Sequence, residues 1–163
     1  MDLVLVLDYS SSANPYKNEI RELAASFLSM FELSESGPRA TVITFDSAPT
    51  NVVLWATNSS HFSTDAGAID SALANYTDTQ AQFHSSSMMH AAFDEAQAAF
   101  EGDVRTPSAN SPEAQRFVLL LTDSSGENNA ATETAANVLK TNYGASRGLE
   151  PEKMLLPRSA PIG

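Results

Sequence analysis

The chain has 163 residues, of which 42% are hydrophobic and 18% charged, and its 9 basic and 20 acidic residues give a formal net charge of −11. This hydrophobic fraction can fill the core of one domain, which excludes a disordered chain, and the acidic balance argues against nucleic acid and against a basic membrane-binding face. Disulfides and thiolate metal sites are excluded because there is no cysteine, and no apolar run is long enough to span a bilayer or to form a signal peptide.

The first two elements are predicted from apolar patterns near the start of the chain. An apolar run between Asp2 and Asp8 is too short for a helix and predicts a strand buried on both faces. Next, Asn14 can cap a helix and Pro15 can start it. The apolar positions that follow have the spacing of one buried helical stripe: Ile20, Leu23, Ala24, Phe27, Leu28 and Phe31.

The rest of the chain alternates predicted strands and helices. Residues 40–45 and 51–55 predict two strands, and the turn between them is short enough to make this pair antiparallel. Helices are predicted at 65–75, 88–100 and 132–142, and a second strand with a continuous apolar run is predicted at 116–123. Strands buried on both faces are typical of a parallel sheet covered by helices on both sides. We therefore expect an α/β fold, doubly wound and mostly parallel, with one antiparallel edge strand.

These patterns end at Gly144. Residues 148–163 contain three prolines and only one short apolar run, at 154–156, so they predict an irregular or disordered tail. The expected organisation is one domain at 1–143 followed by a tail at 144–163.

Side chains that could bind a metal through oxygen atoms stand at the ends of both apolar strands. Asp8, Ser10 and Ser12 come at the end of the first strand, and Asp123 ends the second. In an open α/β sheet, ligands bind beyond the carboxyl ends of the strands, and a strand order of 3-2-1-4 would bring these two loops together there. In extended backbone, alternation would also place Asp8, Ser10 and Ser12 on a common side. Oxygen ligands of this kind suit Mg²⁺.

An Asp-x-Ser-x-Ser loop after an opening strand, with Leu-Leu-Thr-Asp ending a later one, resembles the von Willebrand factor type A domain over residues 2–143. The resemblance implies a Rossmann-like fold and a metal-ion-dependent adhesion site that also uses a Thr at the start of a helix. The matching position is Ser87, with Ser85 or Ser86 as alternatives where the family usually has Gly-Gly. The Gly that often follows the second Asp is Ser124 here.

The resemblance further implies a non-enzymatic adhesion module. Asp8, Ser10, Ser12, Ser87 and Asp123 would hold Mg²⁺, with Mn²⁺ or Ca²⁺ as alternatives, and an Asp or Glu of a partner protein would complete the coordination. The implied location is extracellular or at the cell surface, as part of a larger protein. Such a domain should add two strands after residue 143, and the sequence does not show them, so the sheet is expected to be C-terminally incomplete.

Three alternatives accompany this interpretation. A Mg²⁺-dependent phosphatase or phosphotransferase of the haloacid dehalogenase type would use Asp8 as nucleophile, but it needs a second acid two residues later, where Ser10 stands. An intracellular assembly subunit is a further role known for the family. A transition-metal or base role for His61, His84 and His90 lacks any supporting motif, so surface or capping roles are favoured.

Overall fold

The computed structural model describes residues 1–45, 53–55, 62–78, 88–102, 115–123 and 129–143. It contains four strands and four α-helices, with a short 3₁₀ turn, Asn14–Tyr16, before the first helix. The strands are β1 (Asp2–Asp8), β2 (Arg39–Phe45), β3 (Val53–Trp55) and β4 (Arg116–Leu121). The helices are α1 (Lys17–Leu28), α2 (Ala66–Asp78), α3 (Met89–Gly102) and α4 (Asn129–Tyr143).

The strands form one sheet in the order β3-β2-β1-β4. β1 is parallel to both of its neighbours, so that Asp2 lies opposite Arg39 on one side and Arg116 on the other. β3 runs antiparallel to β2, with Leu54 opposite Ile43. The predicted α/β fold is confirmed, and the strand order is the one that brings the carboxyl ends of β1 and β4 together. The prediction that the second apolar strand is buried on both faces is wrong for the described residues, because β4 is the last of their strands, most of it is half-buried and Phe117 is exposed.

Alternate residues of β1 belong to two different cores, which explains why the strand is apolar throughout. Leu3, Leu5 and Leu7 pack on one face of the sheet against α1 and α2, whereas Val4 and Val6 pack on the other face, with residues of α3 and α4. Every residue of β1 and β2 is buried. Because burial of a large aliphatic side chain contributes roughly 1.5–3 kcal/mol, this two-sided burial strongly specifies the parallel pairing.

Two details of the first helix differ from the prediction. Asn14 is not a helix cap, because the chain already turns at Ala13, whose amide donates to the Ser10 carbonyl, and Asn14 lies inside the 3₁₀ turn. Leu23 is 56% exposed, so the buried stripe is narrower than predicted. The stripe consists of the buried Ile20, Ala24 and Leu28, with the half-buried Phe27 and Phe31 packed beside them.

The second helix begins as predicted but runs three residues further, to Asp78. The Asp65 carboxylate accepts hydrogen bonds from the amides of Gly67 (2.9 Å) and Ala68 (3.3 Å), which is the typical arrangement of an N-cap. The longer helix carries Tyr76, which is completely buried.

Residues 144–163, predicted to form an irregular tail, lie outside the described residues. In the described part of the chain, none of the helices has the length and apolarity needed to cross a membrane.

Candidate metal centre

The candidate site lies where β1 and β4 end side by side. Asp8 is the last residue of β1, and Thr122 and Asp123 follow directly after β4. The parallel pairing of these strands aligns Leu7 with Leu121, so the polar residues that follow begin at the same level of the sheet. Asp8 and Asp123 therefore place one carboxylate from each strand at the carboxyl end of the sheet.

The loop after β1 turns rather than continuing in extended form. The Ser10 amide donates to Asp8 Oδ1 (2.8 Å), and the Ala13 amide donates to the Ser10 carbonyl (3.1 Å). The expectation of an extended loop is therefore wrong. The turn nevertheless brings the two hydroxyls together, because Ser10 Oγ and Ser12 Oγ share a hydrogen bond of 3.0 Å.

Two hydrogen bonds join the ends of the neighbouring strands. The Thr122 hydroxyl donates to Asp8 Oδ2 (2.5 Å), and the Ser12 hydroxyl donates to Asp123 Oδ1 (3.1 Å). Each carboxylate therefore accepts a hydrogen bond from a hydroxyl group that belongs to the neighbouring strand or to the loop after it. Hydrogen bonds to ionised carboxylates are among the stronger ones in proteins, so these contacts hold both groups in place.

The cluster runs from the protein interior to solvent. Asp8 is fully buried and Ser10 nearly so, whereas Ser12 and Asp123 are exposed. The buried carboxylate accepts a hydrogen bond at each of its oxygens, as a buried polar group requires. The exposed carboxylate and hydroxyl leave the outer side of the cluster open to a ligand from solvent.

Tyr76 of α2 supports the cluster from inside the domain. Its hydroxyl donates to the Asp8 main-chain carbonyl (2.7 Å), and its ring lies against Tyr9, with 5.5 Å between the ring centroids. Burial raises the pKa of Tyr76 well above its usual value, and the negative charges of Asp8 and Asp123 raise it further. Tyr76 is therefore a neutral hydrogen-bond donor beneath the site at all ordinary pH values.

Four of the five predicted ligands are brought together: Asp8, Ser10, Ser12 and Asp123 are linked by hydrogen bonds in one cluster. Ser87 lies outside the described residues, as do its alternatives and Ser124. The sequence did not identify two contributors. Thr122 precedes Asp123 in the sequence, but its hydrogen bond to Asp8 was not predicted. The position of Tyr76 in α2 matches the spacing of buried residues, but this spacing does not predict the hydrogen bond from Tyr76 to the Asp8 carbonyl.

The donor set fits a hard divalent cation, because it consists of carboxylate and hydroxyl oxygens. Within the described residues no group of three or more His, Asp or Glu side chains could hold a metal ion, and the candidate cluster itself contains two carboxylates and the serine hydroxyls. Of the histidines, His90 lies on α3, and His61 and His84 lie outside the described residues.

A comparison with models of known families identifies the family of this chain. The von Willebrand factor type A domain matches residues 2–147. The chain belongs to this family. As a type A domain, it has the central parallel strands and two-sided helical layers described above. A comparison with curated proteins gave no significant match.

Solved structures share the type A fold at low sequence identity. The manganese-loaded TRAP protein of Plasmodium vivax is 22% identical, with a TM-score of 0.70 over 88% of this chain and 54% of its own. Proximal thread matrix protein 1 from the mussel byssus, with a zinc-occupied MIDAS motif, is 18% identical, with a TM-score of 0.59 over 87% of this chain and 33% of its own. The pilus adhesin SpaC of Lactobacillus rhamnosus GG is 16% identical, with a TM-score of 0.54 over 76% of this chain and 14% of its own. This chain therefore spans at most about half of these proteins.

Proposed function

We propose that this type A domain is a metal-dependent protein-binding module of the adhesion type. Asp8, Ser10, Ser12 and Asp123 hold a divalent cation, with Ser87 as a further ligand. The preferred cation is Mg²⁺, with Mn²⁺ and Ca²⁺ as alternatives. The observation that carries the proposal is a pair of hydrogen bonds, from Thr122 to Asp8 and from Ser12 to Asp123. They link the carboxylates at the ends of β1 and β4 into one cluster.

The chemistry of the cluster supports a cation. Two carboxylates at the ends of adjacent strands repel each other, and a divalent cation between them neutralises both charges. The serine hydroxyls, which share hydrogen bonds with each other and with Asp123, can turn their lone pairs to a cation without any change in the backbone. The bound cation would supply a positive charge that attracts a carboxylate from a partner protein.

The protein side chains have separate roles in this proposal. Thr122 and the Ser10 amide fix both oxygens of Asp8, and Tyr76 fixes its main-chain carbonyl. These contacts position the buried ligand in advance, as supporting residues around metal sites commonly do. Ser12 and Asp123 lie at the solvent side, where an Asp or Glu of the partner would approach.

The solved relatives support a divalent cation and an adhesive role. One is manganese-loaded, one has a zinc-occupied MIDAS motif, and one is a pilus adhesin. By analogy, we place this module at the cell surface or outside the cell, within a larger protein. We further propose that residues 1–143 form the module and that 144–163 form an irregular tail.

Titration calorimetry of the full chain with Mg²⁺ and Mn²⁺ tests the cation site. Asp123→Asn should lose the binding that the wild type shows, because it removes one of the two carboxylates. Asp70→Asn is the matched control, since it makes the same change in charge at an exposed position of α2 and should keep wild-type affinity. Equal cation affinity in wild type and Asp123→Asn would contradict the proposed ligand set.

The open coordination position has its own test. In the Mn²⁺-loaded chain, water bound to the cation enhances the relaxation of bulk water protons. Acetate, used as a carboxylate probe, should lower this enhancement by displacing that water. An enhancement that acetate leaves unchanged would contradict carboxylate recognition while leaving cation binding intact.

A further inference from the structure

Helix α2 keeps one side in the core and presents another to solvent. Its buried residues follow the spacing of one helical stripe: Ile69, Ala72, Leu73 and Tyr76. The side of α2 that meets α1 carries Ala66 and Asp70, which line a cavity shared with α1. Asn75 is exposed and lies about 140° from Asp70 around the helix axis. Its side chain therefore faces neither the core nor α1.

Asn75 is also the first residue of a triplet that can accept a glycan. In Asn75-Tyr76-Thr77, a residue with a hydroxyl follows two positions after the asparagine, and the residue between them is not proline. This pattern is the acceptor for N-linked carbohydrate in secreted proteins, where the bulky sugar must lie at the surface. The exposed position of Asn75 meets that requirement. A second triplet, Asn58-Ser59-Ser60, lies outside the described residues.

Asn142 provides a comparison within the same chain. Like Asn75, it is exposed in the last turn of a helix, in this case α4, and it precedes a tyrosine. The third residue of its triplet is Gly144, which has no hydroxyl. The two asparagines thus share their exposure and their next residue, and only Asn75 has the acceptor pattern.

Tyr76 determines when the glycan can be attached. Its hydroxyl donates to the Asp8 main-chain carbonyl (2.7 Å), its ring packs against Tyr9, and the whole side chain is buried. An enzyme that holds Asn75 and Thr77 together must also take in the residue between them. In the folded domain this residue is enclosed, so the glycan must be attached before α2 packs against the sheet.

We propose that Asn75 is an N-glycosylation site, an inference that rests on the proposed location outside the cell. The donor is an oligosaccharide joined to a lipid pyrophosphate. The side-chain nitrogen of Asn75 forms a bond to the anomeric carbon of the first sugar, and the bond from that carbon to the pyrophosphate oxygen breaks. The lipid pyrophosphate leaves with the bonding electrons, and the nitrogen gives up one proton to a base of the transferase. No group is oxidised or reduced.

The glycan would stand beside the metal cluster without covering it. The hydrogen bond from Tyr76 joins the last turn of α2 to the end of β1, so Asn75 lies at the same end of the sheet as the cluster. Helix α2 packs against β2, on the side of β1 that is away from β4. The exposed Ser12 and Asp123 remain open to a cation. We therefore expect the same cation affinity with and without the glycan.

Secretion of the full chain from cultured animal cells tests the proposal. A cleavable signal sequence is fused before Met1, and the mass of the secreted chain is measured before and after treatment with an amidase that removes N-glycans. This enzyme leaves aspartate where the glycosylated asparagine was, so a peptide map identifies the modified residue. We expect the mass to fall on treatment and the converted residue to be at position 75, with Asn142 unmodified.

Substitutions separate the acceptor pattern from other effects. Asn75→Gln and Thr77→Val should both abolish the glycan at position 75, whereas Thr77→Ser should keep it because the hydroxyl remains. Asn58→Gln is the matched control and should leave that glycan in place. An unmodified Asn75 in the secreted wild type, or a glycan at position 75 that persists in Thr77→Val, would overturn the assignment.

The order of modification and folding has its own test. Purified transferase and its lipid-linked donor should modify a synthetic peptide of residues 70–80 and should not modify the folded, unglycosylated chain. Equal rates for the peptide and the folded chain would contradict the requirement for attachment before folding. A peptide that is not modified would overturn the acceptor site itself.

Calorimetry with Mn²⁺ keeps this proposal distinct from the proposed function. The glycosylated wild type and Asn75→Gln should bind Mn²⁺ with equal affinity. A chain that carries the glycan and binds no Mn²⁺ would contradict the cation site while supporting the glycosylation site. A secreted chain that binds Mn²⁺ and has an unmodified Asn75 would overturn the glycosylation site alone.

Discussion

Ser12 and Asp123 are 111 residues apart in the chain, yet the Ser12 hydroxyl donates a 3.1 Å hydrogen bond to the Asp123 carboxylate. The contact exists because β1 and β4 are adjacent parallel strands that end at the same level. A loop on one strand and a carboxylate on the other thus form a single cluster. The type A fold places the candidate ligands through its strand order, and the hydroxyl network then fixes their orientation.

Thr122→Val tests whether the hydroxyl that holds Asp8 contributes to cation binding. The change keeps the shape of the side chain but removes the 2.5 Å hydrogen bond to Asp8 Oδ2. Loss of a supporting hydrogen bond in a metal site typically costs about 10-fold to 100-fold in affinity, and we expect a loss in that range by calorimetry. We also expect a decrease of about 1–3 kcal/mol in the free energy of unfolding, because the Asp8 carboxylate is buried.

Thr41→Val provides the matched control. Thr41 is completely buried in β2, and its hydroxyl has no hydrogen-bond partner in the described part of the chain. Removing a buried, unpaired hydroxyl should leave stability unchanged or raise it by about 1 kcal/mol, with unchanged cation affinity. Equal affinities in Thr122→Val and Thr41→Val would contradict the supporting role of Thr122.

Asp2→Asn tests whether stability and cation binding can be separated on one strand. Asp2 lies at the opposite end of β1 from Asp8 and forms a buried, two-pronged ion pair with Arg39, at 3.0 and 3.1 Å. Neutralising Asp2 removes the negative charge of this buried ion pair, which should lower the free energy of unfolding in urea by about 3–5 kcal/mol. Where the variant is folded, its Mg²⁺ affinity should equal that of the wild type. A weakened affinity would mean that the cation site depends on the whole strand.

Tyr76→Phe tests the buried hydroxyl beneath the site and predicts a change in pH dependence. Because the pKa of Tyr76 is raised in the folded state, the unfolded chain loses this proton first, near pH 10. The hydroxyl therefore stabilises the fold fully below about pH 10, and this contribution falls as pH rises further, by up to about 1.4 kcal/mol per pH unit. At neutral pH, loss of its hydrogen bond to Asp8 should cost about 1 kcal/mol.

The measurement is urea unfolding of both proteins between neutral pH and pH 11 or so. The stability of Tyr76→Phe should decline less steeply at high pH than that of the wild type. Tyr143→Phe is a useful comparison, because burial and a hydrogen bond to Glu101 also raise the pKa of Tyr143, but this tyrosine lies away from the site. Identical slopes in wild type and Tyr76→Phe would show that Tyr76 is not held neutral by the fold.

The sequence predicted the fold well where burial alone determines structure. The apolar run at 2–8 required two covered faces, and this requirement led to the predicted parallel sheet. The strand order was considered because it would bring the two loops with candidate ligands together, and the sheet has that order. The prediction was weaker where tertiary contacts decide between alternatives. Leu23 fits the helical spacing, but helix α1 buries a narrower stripe, so periodicity overestimated the core.

The sequence predicted the candidate ligands but not the residues that hold them in place. Acidic and hydroxyl residues at strand ends signal a ligand site, because their positions follow from topology. The turn at Ser10, the Thr122 bond to Asp8 and the Tyr76 bond to the Asp8 carbonyl depend on side-chain geometry across distant segments. No local pattern encodes such contacts, so only the folded arrangement reveals them.

The location of a bound cation can be measured directly with Mn²⁺, whose unpaired electrons broaden the NMR signals of nearby amides. In the wild-type chain, substoichiometric Mn²⁺ should broaden the amide signals of residues 9–13 and 122–123 first, and excess Mg²⁺ should restore them. Asp8→Asn should lose this selective broadening while retaining a folded spectrum. Broadening centred on another part of the chain, or unchanged in Asp8→Asn, would contradict a cation site at the ends of β1 and β4.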